Sequence, residues 1–204
     1  PRSRCTQASP QADQAWTILA RGLQPGRATI VVSPHDEHAL VAAFGSVAAH
    51  LPDLHLVLAG GNGDDRPAIE AAVDALGPTL AHRVLFTGRV DDGARSWLLH
   101  HATVLAYPSL DEGFGFPLLD AMQAGVPVVA STAGSIPEVA GEAALLAAPG
   151  DVDGLAANLL AALTDEAVRS RLIAAGHRQW RTFSWQRCAQ EMAALYHSLA
   201  GSGQ

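Results

Sequence analysis

The chain reads as an α/β protein: a parallel sheet of six strands, helices on both of its faces, and a helical C-terminal tail. Two patterns predict this. The strand-length segments are continuously apolar rather than alternating, as in TIVV at 29–32, LHLVLA at 54–59 and VPVVAS at 126–131, which is the signature of strands buried on both faces. Between successive strands lie segments whose apolar residues recur at helical spacing, and strand–helix–strand alternation builds a parallel sheet.

Taken in order, residues 1–12 are polar and contain two prolines, and residues 1–24 are expected to be a linker or N-terminal extension, with a short helix over 16–23 closed by Pro25-Gly26. Residues 29–32 give the first strand. Residues 37–50 carry Leu40, Val41, Phe44, Val47 and Ala48 at helical spacing, with Asp36 placed to cap and Glu37 in the first turn. Pro52-Asp53 turns the chain into the second strand at 54–59. A glycine-rich loop at 60–64 leads to a helix over 68–76, and VLFT at 84–87 forms the third strand. Asp91-Asp92 opens a helix to about residue 99, with His100-His101 favourably placed at its end. Residues 102–107 form the fourth strand, 126–131 the fifth and 143–147 the sixth. Beyond Pro149 the chain is helical, with breaks near Thr164-Asp165 and Ser184. Trp180 and Trp185 are expected to pack these helices onto the sheet. The whole of 25–204 is thus one Rossmann-like domain.

The stretch with chemistry in it is Ser109-Leu110-Asp111-Glu112-Gly113-Phe114-Gly115-Phe116-Pro117-Leu118-Leu119-Asp120-Ala121-Met122. It follows the fourth strand and runs into apolar residues at helical spacing, with Pro117 suited to the first helical turn. The backbone N–H groups of Gly113, Phe114 and Gly115 are therefore expected to be free and outward-facing at the positive end of a helix, an arrangement that suits phosphate. Glu112 and Asp120 add carboxylates that accept hydrogen bonds from hydroxyls. Phosphate and hydroxyls together suggest a nucleotide, a sugar or both. On open parallel sheets ligands bind beyond the strand C-termini, where this loop lies.

Composition narrows the field. A formal net charge of −7 argues against a nucleic-acid partner. No run of 18 apolar residues predicts a membrane span, and the N-terminal residues lack the apolar region of a signal peptide. Two cysteines, Cys5 and Cys188, are too few for a disulfide framework, so a reducing cytoplasm is the expected location. His35-Asp36-Glu37-His38 lacks the spacing of the two-histidine zinc helix, so no metal is expected, and the 60–63 glycines lack the dinucleotide fingerprint.

The segment 112–122, continued by Gly-Val-Pro-Val-Val-Ala-Ser at 125–131, closely resembles the donor-site signature of the family 4 retaining glycosyltransferases of GT-B fold (glycosyl transferases group 1). The resemblance extends over about 25–196 and includes residues 51–61, Arg83 to Val90, Ser135 to Gly141 and Phe183-Ser184-Trp185. It implies the C-terminal, donor-binding half of a two-domain hexosyltransferase that uses a nucleotide-diphosphate sugar without metal or other cofactor. The acceptor-binding N-terminal domain would precede residue 1, and any peripheral membrane contact would come through it; alone, the chain would bind donor without turning it over. By the same resemblance Glu112 is the catalytic residue facing the sugar hydroxyls. Gly113, Phe114, Gly115 and Phe116, with Ser33 and His35 from the first loop, line the sugar-diphosphate. Asp120 stands where the family has Glu and holds the ribose, and Arg89 and Val90 flank the base. The pattern departs at residues 33–38, where the family's phosphate-clamping Arg and Lys are replaced by Ser-Pro-His-Asp-Glu-His; the chain has no lysine at all. That departure keeps two other readings open: a degenerate GT-B half-domain serving as a partner-binding module, and a Rossmann-like enzyme with a different phosphate ligand.

Overall fold

The structure is a computed structural model that describes residues 29–32, 37–61, 63 and 65–201. The predicted linker and the helix at 16–23 lie outside the described residues, as do Ser33, His35 and Asp36.

Six strands form one sheet: β1 (Thr29–Val32), β2 (His55–Ala59), β3 (Val84–Gly88), β4 (Val104–Tyr107), β5 (Val128–Ser131) and β6 (Ala144–Ala147), in the order β3-β2-β1-β4-β5-β6. Every pairing is parallel, with Val31 opposite Val57 on one side and Leu105 on the other. The expected class is therefore met, six strands included. The order reverses between β1 and β4, so the switch-point crevice opens beyond the C-terminal end of β4.

The helices are α1 (Glu37–Ala48), α2 (Arg66–Ala75), α3 (Pro78–Ala81), α4 (Asp92–His101), α5 (Phe116–Gln123), α6 (Ile136–Ala140), α7 (Val152–Thr164), α8 (Glu166–Gln179) and α9 (Trp185–Gly201). Alternate strand residues feed two cores. Leu56, Leu58, Val104, Ala106 and Val129 meet α1, α2 and α7 on one face. Val57, Leu105, Tyr107, Val128 and Ala130 meet α4, α5 and α6 on the other. Burial on both sides explains why the strands read as unbroken apolar runs. Trp180 packs against the second core as expected.

Local signals set most helix ends. Asp91 caps α4 by accepting from the Ala94 N–H at 2.8 Å, and Asp151 and Asp165 cap α7 and α8 in the same way. His100 and His101 do end α4, and each ring Nδ1 lies within 3 Å of the carbonyl four residues back, at Ser96 and Trp97.

The expectation for Trp185 is overturned. Its ring is 81% exposed, at the start of a helix whose Met192, Leu195, Tyr196 and Leu199 are exposed as well. Helical spacing shows that these residues share a stripe, but whether a stripe meets the sheet depends on the path of the chain after Phe183. That path carries α9 away from the core.

Candidate functional site

The 108–115 loop is built between the buried end of β4 and the first turn of α5. Gly115 is the N-cap of α5, at φ 89° and ψ 48°, a left-handed conformation that costs glycine little. It lets the chain reverse from the loop into the helix, with Pro117 in the first turn. Leu118 and Met122, fully buried beneath, hold the helix to the sheet.

A second loop, after β5, pins the first. The Ser135 N–H and hydroxyl both donate to the Glu112 carbonyl, at 3.1 and 3.2 Å. Buried Ser131 donates its hydroxyl to the Ser109 carbonyl at 2.5 Å, and Ser109 donates to the Asp111 carbonyl at 2.7 Å. Gly134, at φ 51°, lies so close that a Cβ there would sit 2.3 Å from the Glu112 carbonyl oxygen. Glu112 is thus fixed through its backbone from the neighbouring strand.

Its side chain is held too. The Tyr107 hydroxyl donates to Glu112 Oε2, while Oε1 accepts from the N–H groups of Gly113 at 3.1 Å and Phe114 at 3.4 Å. This corrects the expectation that those amides stand free: two of the three carry the loop's own carboxylate. A side chain of Glu length can fold back one residue to reach its neighbours' amides, a choice that the residue order leaves undecided.

Tyr107 is the residue that sequence reasoning missed. Its ring is buried in the second core, and its phenol is pushed up well above the ordinary value, first by burial, then by the hydrogen bond to Glu112 and the adjacent negative charge. The one available signal was a hydroxyl-bearing ring closing an otherwise aliphatic strand. The chain has two tyrosines, so spectrophotometric titration of a Tyr196→Phe variant isolates Tyr107. Its midpoint is expected above the usual value of about 10 and is expected to fall when Glu112→Gln is added; a midpoint at or below 10 would refute the buried pairing. Because the folded chain resists this ionisation more than the unfolded one, the associated stability is complete below about pH 10 and is lost as the pH climbs through the raised value.

Asp120, a little more than two turns from Glu112 along the sequence, faces α4. Its carboxylate lies 3.7 Å from the Arg95 guanidinium, which also approaches Asp92 at 3.4 Å, at one end of a groove of about 350 Å³ between α4 and α5. These are part-exposed pairs of small energetic weight. Arg89 and Val90 follow β3, with Arg89 exposed and Val90 packed against the second core. Phe116 is 57% exposed at the loop's rim, and Phe114 lies between Phe116 and Phe183, tilted against the first ring and edge-on to the second, with ring centroids 4.7 and 5.7 Å away. Of the expected site residues, the structure thus gathers Glu112 to Gly115 on one loop, with Phe116 and Asp120 in the helix that follows; Ser33 and His35 lie outside the described residues.

Residues 38–165 match the family model described as Glycosyl transferases group 1. The phosphatidyl-myo-inositol mannosyltransferase of Mycolicibacterium smegmatis is 31% identical over 186 residues, covering 87% of this chain and 47% of that protein. The O-antigen chain mannosyltransferase B of Escherichia coli is 41% identical over 116 residues, covering 57% of this chain and 30% of that protein. The chain therefore spans half or less of the length of these relatives. Among solved structures, Anabaena Alr3699/HepE in complex with UDP and glucose superposes with a TM-score of 0.77 at 22% identity, over 94% of this chain and 53% of that one, a likeness of fold.

Proposed function

Because the chain belongs to the group 1 glycosyl transferases, we propose that it is the donor-binding half of a retaining transferase acting on a nucleotide-diphosphate sugar. The observation that carries this reading is the position of the Glu112 loop. It lies beyond the C-terminal end of β4, next to the point where the strand order reverses, and its backbone amides and Glu112 sit at a helix N-terminus, with Asp120 in the second turn of that helix. A relative of the same fold was solved with UDP and glucose, and the relatives above are named as mannosyltransferases, which supports a hexose donor.

In this reading the amides of Gly113 to Phe116 take the diphosphate, Asp120 takes the ribose hydroxyls after releasing Arg95, and Arg89 and Val90 border the base. Glu112 meets the sugar hydroxyls. Fixed amides aimed at the departing diphosphate stabilise the charge that develops there, without a metal. Ser33 and His35 would approach from the loop after β1. The acceptor half, and any membrane contact, belong to the part of the enzyme that this chain does not span, so binding without turnover is the expected behaviour. No helix among the described residues is long and apolar enough to cross a membrane.

Calorimetric titration with UDP, GDP and their hexose conjugates tests this. Binding is expected, and Asp120→Ala is expected to weaken it about tenfold or more, since a hydrogen bond to a charged group contributes roughly 1.5–3 kcal/mol. Silence with every nucleotide up to millimolar concentration would sink the donor reading. It would favour instead a half-domain that serves a protein partner, a reading to which the lack of lysine and the occupied Gly113 and Phe114 amides already lend support.

A further inference from the structure

We propose that Tyr107 is the positioning residue of this site: its hydroxyl holds the Glu112 carboxylate over the Gly113 and Phe114 amides, so that an incoming anion must displace Glu112 before it can use them. The inference rests on reading the 112–116 loop as the diphosphate seat. Three observations lead to it. Tyr107 ends a strand whose other residues, Val104, Leu105 and Ala106, are aliphatic, and it is itself buried, with only 3% of its surface exposed. A phenylalanine would fill that space equally well, and the hydroxyl is accounted for by the acceptor it meets. That acceptor is Glu112 Oε2, while Oε1 spans the two loop amides. A carboxylate bonded through both oxygens is fixed in orientation as well as in place.

The Glu112 backbone is clamped separately by Ser135 and by the close approach of Gly134. Only the side chain is therefore left to move. When it lies on the amides it fills the positive end of α5 with the protein's own negative charge, which both occupies the donors and repels phosphate. When it leaves, the same amides open and the carboxylate becomes available to a hydroxyl. Tyr107 sets the balance between the two positions without itself touching the ligand.

The test uses the full 204-residue chain, ¹⁵N-labelled, with inorganic pyrophosphate as probe. Tyr107→Phe is expected to shift the Gly113 and Phe114 amide resonances of the ligand-free protein and to tighten pyrophosphate binding three- to tenfold. Glu112→Ala, which removes the carboxylate and keeps Tyr107, should tighten it at least as much, and adding Tyr107→Phe to that variant should change nothing further. Tyr107→Phe with unmoved resonances and unchanged or weaker pyrophosphate binding overturns the proposal. So does weaker binding in Glu112→Ala, whether or not the Tyr107 variant folds, or the absence of pyrophosphate binding in every form. If the resonances and pyrophosphate affinity respond as expected while UDP and GDP fail to bind, the positioning role stands and the nucleotide-donor reading falls.

Discussion

Gly134→Ala is expected to damage both stability and ligand binding, more than any other single-methyl change near the site. At φ 51° a residue with a Cβ is held in a sparsely populated backbone region, which costs roughly 1–3 kcal/mol. The added methyl would also lie 2.3 Å from the Glu112 carbonyl oxygen and 2.9 Å from its nitrogen, both backbone atoms that have no rotamer to escape into. Forcing them apart adds about 1–3 kcal/mol, as overpacking does elsewhere. The relaxation that relieves the overlap must push the Glu112 segment away from β5, breaking the two bonds from Ser135. Chemical denaturation should therefore show a lowered midpoint, and whatever affinity the parent has for nucleotide or pyrophosphate should fall at least tenfold. Gly61→Ala is the matching control, because a Cβ there meets nothing within 4 Å, and its effect should stay within about 0.5 kcal/mol. Equal behaviour of the two variants would mean that the loop after β5 does not buttress the site.

Phe44→Ala is the complementary case, expected to cost about 3–5 kcal/mol of stability while leaving the ligand affinity of the folded protein unchanged. Phe44 is fully buried on the face of the sheet that α1 shares with α2 and α7, whereas Tyr107, Leu118 and Met122 beneath the Glu112 loop belong to the opposite core. For a chain of this size the loss should lower Tm by roughly 2–4 °C per kcal/mol. A large change in affinity, measured well below the melting transition, would show that the two cores are coupled through the sheet.

What the residue order determined by itself is the part of the protein written in local patterns. Unbroken apolar runs between helical segments dictated a parallel sheet, since a strand buried on both faces has no polar side to show. Asp91 and Asp165 announced helix starts because their side chains satisfy amides only a few residues away. The length and order of the Glu112 to Met122 motif marked the site, because a strand-to-helix turn of glycines and carboxylates is a local chemical object. Helix limits were legible to within a few residues. The four-residue α3 and the five-residue α6, each too short to show a period, were not.

Tertiary structure alone decided how that site is occupied and held. Gly134 and Ser135 lie more than twenty residues beyond Glu112 and meet it only because β5 pairs beside β4. Asp120 faces Arg95 because α4 and α5 lie side by side on one face of the sheet. Trp185 carries the same apolar signal as the buried Leu118, yet the chain turns it outward. The Gly113 and Phe114 amides, free by the logic of a helix N-terminus, are taken by Glu112 because the folded strand presents Tyr107 to the carboxylate's other oxygen. Local sequence fixes which groups are available; which of them bond is a matter of distance, and distances between remote residues exist only once the sheet has assembled.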